Sequence, residues 1–404
     1  MVSLMGRDGR VNLLIGTGHF LSHFYVLSLP PLFLAWQKTF GVSYAELGLA
    51  VALMSGTTAL LQTPVGFLVD RLGARRFLVG GTLLMTLSIA SMGLTTSFWQ
   101  ILVLAMLSGI GNSVIHPVDY AIITGSIDKT KLGRSFAIHT FNGNLGFAAA
   151  PPVMAALLLV MPWRAAMMLI GAVGIPLVAT ILLQSRILND QARPEPTHHA
   201  AAALTGRQLL LSREMLLFFA FFLLSSMAGA GIQSWIITVL HQVHGMDLAA
   251  ASSVLTGYMV GATGGTLVGG YVADRIKRHL TFASVLTVIS AALILVVAAL
   301  PLPDSIAVAT MFAAGLALGS SRTPRDIMVK DAAPPGQIGK VFGFVSAGLP
   351  LGGALTPVPF GFLIDRGHPE LVLVLVAVIL LLSIFCAGSA RATALGRAVP
   401  VAAE

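Results

Sequence analysis

Apolar residues in this chain neither alternate nor fall into stripes; they run on. Twelve stretches, at about 11–36, 44–69, 77–96, 98–125, 134–160, 163–185, 213–240, 248–273, 280–300, 305–329, 340–363 and 370–390, carry few charges. Each approaches or exceeds the roughly 20 residues that an α-helix needs to cross a bilayer. A helix apolar on every face needs an apolar surround on every side. The pattern therefore predicts an all-α membrane protein with twelve transmembrane helices. The first run begins beyond Arg7 and Arg10 and holds the pair Pro30-Pro31. It lacks a small-residue cleavage pattern, so it reads as a retained span and not a removable leader.

The runs divide six and six. Residues 186–212 combine Pro194, Pro196, His198, His199 and an Ala run with Arg193 and Arg207, and read as a cytoplasmic linker. It joins a six-helix bundle at 1–185 to a second at 213–404. The halves repeat one another. Gly66-Phe67-Leu68-Val69-Asp70-Arg71 returns as Gly270-Tyr271-Val272-Ala273-Asp274-Arg275, 204 residues later. Leu132-Gly133-Arg134-Ser135-Phe136 pairs with Ile338-Gly339-Lys340-Val341-Phe342 at an offset of 206, as Gly146 and Pro151 pair with Gly352 and Pro357. Pro117-Val118-Asp119 pairs with Pro324-Arg325-Asp326 at 207. Near-constant offsets at separate sites mark a true internal repeat. Two parallel six-helix repeats are a transporter architecture with the pathway between them.

Composition fits a lipid-solvated chain: 56% of residues are hydrophobic and 10% charged, against about 25% charged in soluble domains. The net charge of +8 does not signal nucleic acid, because the basic residues sit in short loops and form no patch. With the N-terminus inside, only Lys38, Arg164 and Arg366 of the 24 Lys and Arg fall in outer loops. That asymmetry places both termini in the cytoplasm of a bacterial inner membrane. The single cysteine, Cys386, lies inside an apolar run and excludes a disulfide framework.

The glycine-framed loop after the second segment (Gly66, Asp70, Arg71, Gly73, Arg75, Arg76), set in twelve spans and two halves, resembles the major facilitator superfamily over essentially the whole chain. Gly18-His19-Phe20 and Gly109-Ile110-Gly111-Asn112-Ser113-Val114-Ile115-His116-Pro117 resemble its fosmidomycin-resistance type of drug exporter. Two positions depart from the superfamily's drug–proton antiporters. Ala105 stands where those carry an arginine four residues before Gly109. Their fifth-segment glycine signature is only echoed, with Gly146 and Pro151 present but Ala150, Met154 and Ala155 in place of glycines. The resemblance also implies a gate: Asp70 and Asp274 sit near helix N-termini in the opposite half, at Gly339-Lys340 and Gly133-Arg134. With Gly66, Arg71, Gly270 and Arg275 they would form two latches on the cytoplasmic side, the glycines allowing close helix approach.

Charges and imidazoles inside spans are costly and therefore candidate functional groups. His19 and His23 share one face of the first segment at i, i+4, suited to a coupling proton or a substrate hydrogen bond, or else to binding neighbouring helices. Two imidazoles with no carboxylate nearby in sequence are a weak metal signal, so no metal is assigned. His116 and Asp119, at i, i+3, face one partner, with His139, Asn142 and Asn144 on the next segment. Asp119 is a third proton-coupling candidate, or a solvated or salt-bridged carboxylate near the cytoplasmic end. Asn142 either lines the cavity or ties helices together. Arg322 sits above Arg325 and Asp326, and its planar fork suits a carboxylate or phosphonate; otherwise Arg325 pairs with Asp119 or Asp326 while Arg322 snorkels. Phe24, Tyr25, Trp36, Gln62, Gln233, Trp235 and Tyr258 are candidates for an amphipathic cavity lining. Ser43 to Glu46 reads as a capping box and Asp247 as a helix cap.

No phosphate-cradling Gly-rich loop, nucleophile elbow or zinc-binding helix signature is present, so neither an enzyme nor an ATP-driven pump is expected, and no cofactor. The sequence reads as a monomeric secondary transporter moving a small organic solute by alternating access. Proton-driven efflux of an amphipathic or anionic compound leads; uptake or exchange of a small organic anion is the alternative. A non-transporting receptor or scaffold comes last, since it gives the intramembrane His and Arg no purpose.

Overall fold

Hydrocarbon offers backbone N–H and C=O groups no partner, so a chain this apolar pairs them within helices. In the computed structural model, which describes residues 6–128, 131–188, 211–273, 275–333, 341 and 344–398, each predicted segment contains helix and no strand occurs among the described residues. We number the spans in chain order. They are α1a (Arg7–Leu27) with α1b (Phe33–Phe40), α2 (Tyr44–Leu72), α3 (Ala74–Met92), α4a (Phe98–Asn112) with α4b (Ile115–Ser126), α5 (Leu132–Val160) and α6 (Trp163–Gln184). The second half holds α7 (Arg213–His244), α8 (Leu248–Ala273), α9 (His279–Ala299), α10a (Asp304–Ser320) with α10b (Arg322–Ala332), α11a (Gly348–Leu355) with α11b (Pro357–Asp365), and α12 (Glu370–Ala398). Among the described residues, nine helices are long and apolar enough to cross a membrane. The other three spans, α1, α3 and α8, are the ones broken or diluted by Gly, Ser, Thr and His.

Four spans are interrupted, which the apolar runs did not reveal. The breaks in α4 and α10 fall just ahead of Pro117 and Pro324. A proline in a helix lacks an N–H and clashes with the carbonyl four residues back, here those of Ser113 and Ser320. Both breaks deliver chemistry, since α4b presents His116 and Asp119 and α10b opens on Arg322. The repeat is visible in turns as well. Gly41 and Gly245, 204 residues apart, both end a helix at φ +66°, the left-handed conformation glycine adopts without strain. The expected caps follow them. Ser43 N–H donates to Glu46 Oε2 (2.8 Å) and Glu46 N–H to Ser43 Oγ (3.2 Å), while Asp247 Oδ1 accepts the Ala250 amide (2.8 Å).

Gly146 packs on the Phe20 carbonyl and Gly352 on the Leu223 carbonyl, so the same repeat position closes the α1–α5 and α7–α11 crossings. Gly66 and Gly270 do not play the expected part. A Cβ at either would sit 3.9 Å from its nearest neighbour, ordinary contact, so neither is needed for close approach in this conformation. The tight crossing belongs to α8 and α10a instead, where Gly261, Gly265 and Gly269 lie on the opposing backbone.

The halves join at the end away from the termini. There the Asp365 carboxylate accepts the Tyr44 and Ala45 amides (2.7 and 2.9 Å) and Gln242 Nε2 donates to the Tyr44 hydroxyl (2.6 Å). Gly48 of α2 lies against the backbone of Pro357, and the Phe33 and Trp235 rings meet at 5.0 Å.

Candidate functional site

A buried polar cluster sits midway along the first half. His19 and His23 come from α1a, His116 and Asp119 from α4b, and His139 from α5. The His19 ring stacks on His139 at 3.9 Å and meets His23 and His116 edge-on at 4.4 and 5.1 Å. His23 also stacks on Phe147 at 4.0 Å. His19, Asp119 and His139 are buried, whereas His23 and His116 are partly exposed. The fold thus brings together His19, His23, His116 and Asp119, which the sequence left in separate pairs.

The hydrogen bonding is incomplete. His19 Nδ1 bonds the His139 carbonyl at 2.9 Å, which leaves His19 Nε2 without a partner. His23 Nδ1, both ring nitrogens of His139 and both oxygens of Asp119 are likewise buried with no hydrogen bond. Asp119 is 0% exposed, with His139 Nδ1 3.5 Å from Oδ2, so the solvated reading of this carboxylate is corrected. Buried polar atoms are normally paired, and each unpaired one marks a place where something binds or changes. Potential ligand atoms of His19, His23 and His116 lie within 4.8 Å of one another, as do those of His19, Asp119 and His139. Asn142 is near but does a different job, its amide packing on Gly16 of α1a where the two helices cross.

The second half carries its intramembrane cations on α10b. Arg322 has Tyr258, Arg325 and Asp326 as its ionisable neighbours, and no ion-pair partner among the described residues. Arg325 settles the open pairing: its Nε donates to Asp326 Oδ1 at 3.0 Å and its guanidinium covers the Phe222 ring at 4.1 Å. Asp119 is not its partner. Of the proposed cavity-lining residues, the aromatics Phe24, Tyr25, Trp36, Trp235 and Tyr258 are buried in the core, and the glutamines Gln62 and Gln233 are partly exposed. Trp235 donates its indole N–H to the Pro357 carbonyl (3.0 Å) and so helps to close the far end.

The latch expected from the repeated phrase falls where little is described. Asp274, Gly339 and Lys340 lie outside the described residues, as does the side chain of Asp70. Arg71 is exposed, and Arg275 folds back on its own helix, donating to the Tyr271 carbonyl (2.8 Å) over the Tyr271 ring. A third copy of the phrase, Gly361-Phe362-Leu363-Ile364-Asp365-Arg366, stands at the opposite end of the molecule. Matching the phrase against the whole chain finds it.

Known proteins bear on this arrangement. The sequence model described as Major Facilitator Superfamily matches residues 15–254 and 240–398. The probable L-galactonate transporter of Escherichia coli (strain K12) is 26% identical over 60% of this chain and 56% of its own. The chain thus spans little more than half the length of that relative. The fosmidomycin resistance protein of the same strain is 26% identical over 86% of this chain and 84% of its own. Among solved structures, a bacterial homolog of the human lysosomal transporter Spinster, inward-facing and occupied, superposes with a TM-score of 0.82 at 16% identity, covering 96% of this chain and 98% of that one. That likeness shows a shared fold.

Proposed function

Because the chain belongs to the Major Facilitator Superfamily, we propose that it is a secondary active transporter, moving a small organic solute across a bacterial inner membrane by alternating access. One observation carries the reading: each half of a bundle pair joined at one end holds a costly polar group inside a membrane-spanning helix. In the second half stands Arg322, a guanidinium with no ion-pair partner among the described residues and a fork suited to an anionic group. In the first half stands the His–Asp cluster, whose free lone pairs accept a cation. The Lys and Arg asymmetry puts the termini in the cytoplasm, so the joined end is the outer one.

The lead reading is proton-driven export of an amphipathic or anionic compound, supported by the likeness to a fosmidomycin resistance protein over most of both chains. In it, Arg322 holds the anionic group of the cargo, while the cluster of His19, His23, His116 and Asp119 is the cation-accepting side. A second reading, uptake or exchange of a small organic anion, is favoured by Arg322 and by the likeness to a probable L-galactonate transporter.

Proteoliposomes with imposed pH gradients test both, using radiolabelled fosmidomycin and a panel of sugar acids. Accumulation in vesicles that are acidic inside supports proton antiport. Flux that ignores the gradient but responds to the same solute on the far side supports exchange. Binding of a labelled solute with no flux in either arm overturns transport in favour of a sensor.

A further inference from the structure

We propose that His19, His23 and His116 form a binding site for one divalent transition-metal ion of the zinc class, with Asp119 and His139 behind them supplying negative charge and support. The inference names a cation for the cluster read above as cation-accepting, and rests on that reading. What carries it is the convergence of three imidazoles whose potential ligand atoms lie within 4.8 Å of one another, with buried ring nitrogens of His19 and His23 left unpaired.

A carbonyl only accepts hydrogen bonds, so the His19 ring nitrogen that bonds the His139 carbonyl, Nδ1, bears the proton. In the neutral ring Nε2 then carries a lone pair, and that atom is buried with no partner. Metal-binding imidazoles are fixed this way: the distal N–H donates to a carbonyl, setting both tautomer and ring direction. His23 likewise has a buried and unpaired Nδ1.

The three donors span at most 4.8 Å. A tetrahedral ion with bonds of about 2.0–2.1 Å spaces its nitrogen ligands about 3.3 Å apart. The rings must therefore close by at most about 1.5 Å, a movement that side-chain rotation supplies. His23 and His116 are partly exposed, so an ion has a way in. Asp119, fully buried with neither oxygen hydrogen-bonded and His139 Nδ1 3.5 Å from Oδ2, is an expensive placement for a carboxylate. A dication on the far side of the stacked His139–His19 rings offsets that cost. Three imidazoles with one nearby carboxylate select zinc, cobalt or nickel over magnesium and calcium, which take oxygen ligands.

The test is equilibrium binding of the metal alone to the purified full chain, carrying no polyhistidine tag and with His198→Asn and His199→Asn to remove the linker imidazoles. We expect one Zn2+ per chain by calorimetry, unaffected by excess Mg2+ or Ca2+. Co2+ should give the intense visible bands of a four-coordinate nitrogen site. His116→Asn and His23→Ala should each weaken Zn2+ binding more than tenfold. His116 and His23 are the half-exposed members, so folding of these variants is checked by thermal melting. No stoichiometric Zn2+ binding overturns the inference, as does unchanged affinity in a folded His116→Asn protein. Proton-driven flux in a protein that binds no Zn2+ overturns the metal site and leaves the transport reading standing. Zn2+ binding in a protein with no flux does the reverse.

Discussion

The two oxygens of the Asp365 carboxylate accept the backbone N–H groups of Tyr44 at 2.7 Å and Ala45 at 2.9 Å, so the last residue of α11b caps the first turn of α2 in the other half. The first N–H groups of a helix have no internal partner and carry partial positive charge. A carboxylate there is both a hydrogen-bond acceptor and a counter-charge. Gly361, one turn earlier, lies directly on the Tyr44 and Ala45 backbone, so the approach has no room for a side chain. This is the contact expected of Asp70 and Asp274, found at the opposite end of the molecule.

Asp365→Asn removes the charge and one of the two acceptors. The loss is about 1–2 kcal/mol for a charge-assisted cap, a factor of roughly 5–30 in a two-state equilibrium. The population should shift toward a form open at that end. Spin labels at Lys38→Cys and His368→Cys, both exposed and in opposite halves, read the shift as a longer distance. An unchanged distance distribution would show that the cap follows closure and does not hold it.

Asp70→Asn should act in the opposite sense. If Asp70 latches the terminus-bearing end, its loss slows turnover while cargo affinity measured in detergent stays nearly intact. Combining Asp70→Asn with Asp365→Asn should then restore the label distances toward those of the parent protein. A large affinity loss with normal turnover would instead move Asp70 into the binding site.

The spans were legible because hydrocarbon leaves no alternative to helix, and length alone then sets the number of crossings. The caps at Ser43 and Asp247 were legible because capping is local. What stayed hidden depends on three-dimensional neighbours. Asp119 sits three residues past His116, but its burial comes from α5, through His139. His19 and His23 made a weak pair in sequence and become part of a five-residue cluster only when α4b and α5 pack on α1a. Trp36 and Trp235 looked like cavity residues because an aromatic's type does not tell which helix face it occupies. The breaks in α4 and α10 had a readable cause in Pro117 and Pro324, hidden by the continuous apolar runs around them.

Arg322→Gln keeps a polar side chain but removes the fork and the charge. For an anionic cargo the affinity should fall by about 2 kcal/mol, roughly 30-fold, the range for hydrogen bonds to charged groups. Arg322→Lys retains charge without the bidentate geometry and should fall between the two. Binding of labelled cargo to the purified variants measures this. Equal affinities for all three proteins would remove Arg322 from the cargo site.

Gly143→Ala tests the cluster without deleting any of its members. A Cβ built at Gly143 falls 2.5, 2.7 and 2.9 Å from Cε1, Nε2 and Nδ1 of His19, so the added methyl displaces that ring. The ring then loses its bond to the His139 carbonyl and its stack on the His139 imidazole. Alanine is the better helix former by about 1 kcal/mol, so α5 itself should persist with unchanged helix content. Gly229→Ala in α7 is the matched control, since a Cβ there meets nothing within 4 Å. Flux and Zn2+ affinity should both fall about tenfold or more in Gly143→Ala and hold in Gly229→Ala. A Gly143→Ala protein with parental flux and parental metal affinity would show that the position of the His19 ring is immaterial, and that the unpaired nitrogens of the cluster have no common ligand.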